Sequence, residues 1–472
     1  MSTLDERLQD FALAVKARFD TQQSEIAAIP TSTSLAGFLT DIKDHGAKCD
    51  GVVDGAGNLV SGTDDTIAVN AAIAAAAQLG GGQVFVPAHC VCSGPLTGSH
   101  NVTLFGPAGQ GAGYSQPPPA QLIYTGTGAT SFIQAGSTNA FVLRDLGIRY
   151  TSSSFTGDLI DFTHSGGADT AYASISRCLL AGINVHSAAS LVNLGGAILS
   201  SIVDNHLQWG TIGVRGRKEI SVGNVLYSNA HRIIGNTFDN LSTTAILNAG
   251  ERWAINGNNF EGTNGGFGGM PRAYYDDISA ASAATTLGLS YRDNWHGDAV
   301  AVTDAWFTNN NTKLRGFTMS GGQIEPNVGV PGVKLSGLVQ GGSITGCYIQ
   351  DHIDLGNVSH QGLSILGNFM TSDVVNLSTG AGNILIAGNT TAVGSAQTVF
   401  RFSDPTDIEL GNGGGSGIFA VLKGLSQVNV SGSQVLSSRY AGTPAAATDL
   451  TSAITLANFL RDALLNHHGA IG

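Results

Sequence analysis

The residues best suited to chemistry are acidic, and they recur. Thr237-Phe238-Asp239, Asn259-Phe260-Glu261 and Gln323-Ile324-Glu325 each place a carboxylate directly after an apolar residue; Gln350 and Thr371 take the same place further on. Each triplet follows a turn that opens with glycine. If the apolar residue points inward, the next one faces solvent. Asp239 and Glu261 lie one repeat apart (261 − 239 = 22), so they are expected to stack at about 4.8 Å backbone spacing. Two carboxyl groups about 5 Å apart suit a retaining glycosidase, and about 6.5–9.5 Å suits an inverting one. Their mutual repulsion raises one pKa, which sets an acid beside a base. Asp239, Glu261 and Glu325 are the candidate catalytic residues. The plainer alternative is that polar residues here only keep the surface soluble.

A second set lies between Glu261 and Gly321. Asp276, Asp277, Asp293 and Asp298 occur among Tyr274, Tyr275, Tyr291, Trp295 and Trp306. Sugar rings stack their C–H faces on aromatic rings while carboxylates take the hydroxyls. Tyr274, Tyr275, Trp295, Trp306, Asp293, Asp298 and Arg272 are therefore candidate substrate-binding residues. The alternative is that the aromatics fill wide repeats and the aspartates form turns. Arg232, Arg252 and Arg272 are candidate bases for an elimination, but nothing in the sequence brings them together. Arg215, Arg217 and Lys218 form one basic knot, read first as a solvated loop and second as a clamp on an acidic sugar.

The elements that must hold these residues are short strands. Ile233-Ile234-Gly235-Asn236-Thr237-Phe238 is matched by Ile255-Asn256-Gly257-Asn258-Asn259-Phe260, Ile344-Thr345-Gly346-Cys347-Tyr348-Ile349, Leu366-Gly367-Asn368-Phe369-Met370 and Ile386-Ala387-Gly388-Asn389. Counted on the glycines, the steps are 22 (257 − 235), 25 (346 − 321), 21 (367 − 346) and 21 (388 − 367). Gly and Asn tolerate the positive φ of such turns. Short strands at this period with almost no helix between them point to an all-β solenoid, a parallel β-helix, and exclude a βαβ barrel, whose units need about 30 residues. The stretch 262–320 hides the repeat and has room for two or three rungs with protruding loops.

Residues 41–87 carry DIKDHGAKCDG, then GTDDTIAVNAAIAAAAQLGGGQVFVPA. This resembles the start of the pectate-lyase-like right-handed parallel β-helix superfamily, of the kind seen in phage tailspikes. Thr63 or Asp64 is expected to cap a helix whose apolar stripe is Ile67, Ala71 and Ala74 or Ala75. Gly80-Gly81-Gly82 ends that helix, and Val84-Phe85-Val86 follows as a buried strand. Two departures stand out: Cys49 replaces a usual glycine, and residues 52–62 lengthen the loop. Asp64 and Asp65 read as a structural pair. The catalytic motifs of cellular relatives are absent, with neither Arg-Ile-Lys nor Gly-His-Gly of the polygalacturonase type. Fold similarity therefore implies no particular activity.

Both ends read as helices. Leu4, Leu8, Phe11, Val15, Phe19, Gln22, Ile26 and Ile29 form a coiled-coil-like seam before Pro30. Leu450, Ile454, Ala457, Leu460 and Leu464 line one face of a C-terminal segment. The expected plan is an oligomerisation and attachment helix over 1–30, a linker over 31–40, the β-helix over 41–435 with its cap at 41–87, and a helical segment over 436–472.

Composition narrows the function. The 472 residues include 65 Gly and carry a net charge of −12, with no basic stripe for nucleic acid. The N-terminus is polar and shows no signal peptide, and no apolar run is long enough to insert in a membrane. Five scattered cysteines suit free thiols; Cys90-x-Cys92 lacks further ligands, so no metal and no cofactor are expected. The resemblance and the seam together imply a homotrimeric phage tailspike or appendage located in the virion. It would attach to a tail or head protein through residues 1–30 and bind, with possible hydrolysis, a host surface polysaccharide. The alternatives are a non-catalytic structural or adhesive β-helix and a free-standing polysaccharide lyase or hydrolase.

Overall fold

A computed structural model describes Lys16, residues 39–391 apart from loop segments (56–57, 109–117, 164–169, 184, 217–227, 263–269, 271, 278–284, 298–304, 311, 327–328, 357, 359, 372–374, 378–382 and 388), and strand segments at 401–402, 418–420, 428–430 and 433–436. The helices expected over 1–30 and 436–472 lie outside the described residues.

Each pass of the chain lays down three short strands, one in each of three parallel sheets. The first pass is Gly82–Phe85, His89–Cys92 and Leu96–Thr97; the second is Val102–Phe105, Gln121–Tyr124 and Ile133–Gln134. The three sheets, here faces 1, 2 and 3 in that order, hold fifteen, twelve and twelve strands. Contacts group the chain up to Phe419 as one unit. A second unit runs from Ala420 and contains an antiparallel pair, Val428–Val430 with Ser433–Leu436.

Side-chain alternation sorts each strand into core and surface. On face 2 the column Cys90, Leu122, Ile148, Leu180, Leu207, Phe238, Phe260, His296, Ile324 and Ile349 is buried throughout. Rings stack on rings: Phe238 on Phe260 at 5.0 Å between centroids and Phe260 on His296 at 5.0 Å. Offset-stacked rings add to the burial of their area.

The corner between faces 1 and 2 explains the glycine-asparagine signature. Its first residue has positive φ at Asp145, Arg177, Asp204, Gly235, Gly257, Asp293, Gly321, Gly346 and Gly367. Its second residue points inward. Asn205, Asn236, Asn258 and Asn294 stack there, each with no more than 2% of its surface exposed. Asn258 Oδ1 accepts from the Asn236 backbone N–H at 3.0 Å, and Asn258 Nδ2 donates to Asn294 Oδ1 at 3.1 Å and to the Ile233 carbonyl at 2.9 Å. The glycine thus serves the left-handed backbone, while the asparagine satisfies buried main-chain groups. In the rungs before Gly235 the turn residue is Asp or Arg, so no glycine marks it. Spacing between these turn residues runs from 21 (367 − 346) to 36 (293 − 257), broader than the period read from the glycines. Among the described residues the hidden stretch holds one such turn, at Asp293, between those at Gly257 and Gly321.

The N-terminal cap contains α1 (Thr66–Gln78). Its buried face is Ala68, Val69, Ala72, Ile73 and Ala76, while Ile67 is 86% exposed. This corrects the expected stripe: in a run of alanines the phase of the helix is ambiguous, and the larger Val69 and Ile73 set it. The N-cap position is Asp65, whose side chain makes no capping bond, and the bond to the first helical N–H comes from Asp64 as expected. Asp64 Oδ1 accepts from the Thr66 N–H at 3.0 Å and Asp64 Oδ2 accepts from the Ser93 hydroxyl at 2.6 Å. Burial opposes ionisation of Asp64, yet these hydrogen bonds win and hold its carboxyl at about 2. Asp65 accepts from the Lys48 N–H at 2.6 Å and the Cys49 N–H at 2.9 Å. Both aspartates tie the cap together.

Candidate functional site on the outer side of face 2

The candidate carboxylates sit on face 2 because the strands Thr237–Asp239 and Asn259–Glu261 each bury a central phenylalanine. Their register pairs Thr237 with Asn259, Phe238 with Phe260 and Asp239 with Glu261. The two carboxylates therefore occupy neighbouring rungs of one outward column, about 4.8 Å apart along the backbone. The next rung, Trp295–Gly297, puts Gly297 opposite Glu261. Glu325 follows the strand Gln323–Ile324, whose Ile324 pairs with His296, so it stands two rungs from Glu261.

Asp239 is 9% exposed. Its Oδ2 accepts from Asn240 Nδ2 at 3.1 Å, and its buried Oδ1 has no hydrogen-bond partner. Burial first, and the negative charge of Glu261 second, raise its pKa from 3.8 to about 6. His206, one rung away with Nε2 at 3.9 Å from Asp239 Oδ2, is lowered by burial to about 4 and so brings no positive charge at neutral pH. Glu261 is less buried and accepts a hydrogen bond from Asn259 Nδ2. The pair thus consists of a shielded carboxyl that keeps its proton to higher pH and a more open partner.

Trp295 supplies the apolar surface beside them. It is 37% exposed, and its indole folds over Gly297: a Cβ on Gly297 would lie 2.0 Å from the ring. Only glycine leaves that space, so the tryptophan lies along the surface between the rungs of Glu261 and Glu325. Tyr348 and Phe369 continue the outer column and stack at 5.4 Å. Between His206 and Thr371 these two outer columns hold no lysine or arginine among the described residues.

The other candidates scatter. Tyr274 and Trp306 are fully buried, which corrects their reading as sugar platforms. Tyr274 stacks on Phe307 at 4.5 Å and Trp306 Nε1 donates to the Glu325 carbonyl at 2.8 Å. Asp276 is buried under Thr286, whose hydroxyl donates to it at 2.7 Å. Tyr275 faces outward on face 3, with Arg272 4.0 Å over its ring and its hydroxyl donating to Asp277 at 2.7 Å. Asp293 is the turn residue with φ 52°, and Asp298 lies outside the described residues. Arg215 is held by Asp158 at 2.6 Å, while Arg217 and Lys218 lie outside the described residues. Arg232 on face 1, Arg252 at the preceding corner and Arg272 on face 3 are not brought together.

Solved structures decide the fold. The chain aligns with PfbA, a surface adhesin of Streptococcus pneumoniae, at TM-score 0.51 and 14% identity, over 79% of this chain and 96% of that one. This is a right-handed parallel β-helix. A weaker likeness, TM-score 0.46 at 11% identity, links the β-helix to the tailspike gp42 of Acinetobacter phage vb_AbaP_AS12, over 87% of this chain and 66% of that one. Another links it to the A-module of the Azotobacter vinelandii mannuronan C-5 epimerase AlgE6, at TM-score 0.44 and 14% identity, over 78% of this chain and 100% of that one. No protein-family model and no curated protein sequence matches the chain.

One cluster escaped the sequence reading. Cys49, Asp65 and Cys90 converge in the cap, with donor atoms within 4.8 Å of one another. Cys90 thus meets Cys49 rather than joining Cys92 in a site. Forty-one residues separate the two cysteines in sequence, so no local motif shows the contact.

Proposed function

We propose that this β-helix binds a polysaccharide along the outer side of face 2 and hydrolyses it, with Asp239 as the acid and Glu261 as the nucleophile. The observation that carries this reading is the register pairing of Asp239 with Glu261, together with the raised pKa of Asp239. One-rung spacing is that of a retaining pair. A sugar ring stacked on Trp295 lies beside Glu261; Glu325 marks the far edge of the platform. The missing cations in these columns favour a neutral polymer over a uronate-rich one. We place the chain in a bacteriophage tailspike or appendage, trimeric and attached to a tail or head protein through residues 1–30, where its polymer is a host surface polysaccharide. The tailspike-like cap motif at 41–87 and the apolar seam at residues 4–29 support this placement.

The test is release of reducing ends from a panel of neutral and acidic bacterial surface polysaccharides, with light scattering for the oligomer. Activity on a neutral polymer that Asp239→Asn and Glu261→Gln abolish supports the assignment; activity that survives both substitutions sinks it. The second reading is adhesion without catalysis, favoured by the 9% exposure of Asp239. Binding with no bond cleavage selects it.

A further inference from the structure

The segment before α1 is pinned against the first strand of face 2. The Gly51 N–H donates to the His89 carbonyl at 3.0 Å, and a Cβ at Gly51 would lie 2.9 Å from that same oxygen. Two residues earlier, Cys49 has φ 48°, a left-handed backbone that disfavours any side chain. A β-carbon is tolerated there, and its sulfur lies 2.8 Å from Cys90 Sγ. Both side chains are buried, Cys49 at 8% exposure and Cys90 at 0%.

We propose that Cys49 and Cys90 form a reversible disulfide that clasps the cap loop to the first rung of face 2. Two buried sulfurs held 2.8 Å apart, closer than van der Waals packing brings them, fit a bond better than simple packing. The third donor, Asp65, already accepts from the Lys48 and Cys49 N–H groups, and the described residues add no fourth ligand of the kind a structural zinc site takes. The oxidant is a low-molecular-weight disulfide. The Cys49 thiolate, nearer the surface, attacks one of its sulfurs and releases the first thiolate. Cys90 then loses its proton and attacks the Cys49 sulfur, releasing the second. Two protein thiols become one disulfide, and the reagent is reduced to two thiols. Contact with Cys49, and then burial, push the Cys90 thiol far above its usual range, so it acts second. The bond ties loop 46–65 to the rung at its base, and reduction frees it.

The full-length protein, reduced and desalted, is incubated with oxidised glutathione. One sample is treated folded and another is refolded from denaturant in the same buffer. Both are then alkylated in denaturant and weighed. The expected result is three alkylated cysteines of the five, a peptide pair joined through Cys49 and Cys90, and slower hydrogen exchange over 47–65 than in the reduced protein. Cys49→Gly suits the left-handed backbone; it folds and shows four alkylated cysteines under every condition. Five alkylated cysteines in both wild-type samples overturn the proposal. So does a different pairing, an unchanged exchange rate after pairing, or stoichiometric zinc that shields both thiols until it is chelated.

Discussion

Faces 2 and 3 carry the same kinds of residue on their outer sides, yet they are built for different ends. On face 3 the group closes on itself. Arg272 covers the Tyr275 ring, the Tyr275 hydroxyl donates to Asp277, Asn310 Nδ2 donates to that hydroxyl at 3.4 Å, and the Asp277 N–H donates to Asn248. On face 2 two carboxylates stand on adjacent rungs with a neutral histidine beside them, and burial together with the charge of Glu261 raises the pKa of Asp239; an unpartnered buried oxygen does not separate the faces, since Asp239 Oδ1 and Asp277 Oδ1 both have one. Charges that are already answered act as scaffold. Charges held close and left unanswered store acid–base capacity, because the protein field shifts their protonation instead of pairing them.

The strongest way to break this contrast is to remove the carboxylates one at a time. Asp239→Asn and Glu261→Gln are each expected to lower the rate of reducing-end release by roughly 10²–10⁴-fold, the range for a positioned acid or base. Asp277→Asn on face 3 is expected to leave the rate within about threefold. Equal losses on both faces erase the distinction. The wild-type rate is expected to fall as pH rises past about 6, where Asp239 gives up its proton.

The same shift has a stability side. The carboxyl ionises at 3.8 in its ordinary environment and at about 6 in the fold. Below 3.8 both states are protonated. Between the two values the folded state holds a proton that the unfolded state has lost, so the stabilising contribution is lost as pH rises to about 6. A shift of about two units amounts to roughly 3 kcal/mol at most. Melting temperature at pH 4 and pH 7 checks it: Asp239→Asn should gain on the wild type between those values. A constant difference between the two proteins removes the argument for a strained pair.

Most of the fold could be read from the residues. The phenylalanines at 238 and 260 and the glycines at 235 and 257 set both the register and the turn, and the column of Asp239 and Glu261 followed from them. What stayed hidden has physical reasons. Aspartate and arginine take the left-handed turn at 145, 177 and 204 without glycine's signature. Composition alone does not tell a tryptophan such as Trp306 that fills a wide rung from one such as Trp295 that lies on the surface. Trp306 turns inward at the bend before the strand Phe307–Asn310, whereas Trp295 opens the strand Trp295–Gly297 on its outer side, and the flanking loops obscure both positions. The asparagine ladder was visible as a repeat, but its role was not, since only the backbone path shows which side of the corner it faces.

That ladder offers the next contrast, a hydrogen-bonded column that is all scaffold. Asn258→Leu leaves the Asn236 N–H without its acceptor and the Ile233 carbonyl without its side-chain donor, while Asn236 Nδ2 keeps its bonds to the Ile202 and Ile234 carbonyls. Each orphaned buried group costs about 1–3 kcal/mol. The expected result is a clear fall in melting temperature, with reducing-end release per folded molecule unchanged. Trp295→Ala reverses the pattern: roughly tenfold weaker polysaccharide binding, about 1.4 kcal/mol, with little change in melting. Gly297→Val should mimic it, because the new side chain occupies the space of the indole.

The smallest effect is the sharpest check on face 3. Arg272 sits 4.0 Å over the Tyr275 ring, a cation–π contact worth about 0.5–1 kcal/mol at a partly exposed site. Arg272→Ala is expected to lower stability by that amount and to leave both polysaccharide binding and the pH profile of cleavage where they were. The guanidinium also bears on Tyr275 itself, whose pKa is raised by burial and by its bond to Asp277 and lowered by the nearby Arg272. Removing the arginine therefore raises that phenol further, which a spectroscopic titration of the tyrosines reads directly. If the arginine instead held an acidic sugar, the substitution would weaken binding of anionic polymers and spare neutral ones. A salt-sensitive loss of that kind would move the binding surface from face 2 to face 3, whereas the phenol shift alone leaves face 3 as structure.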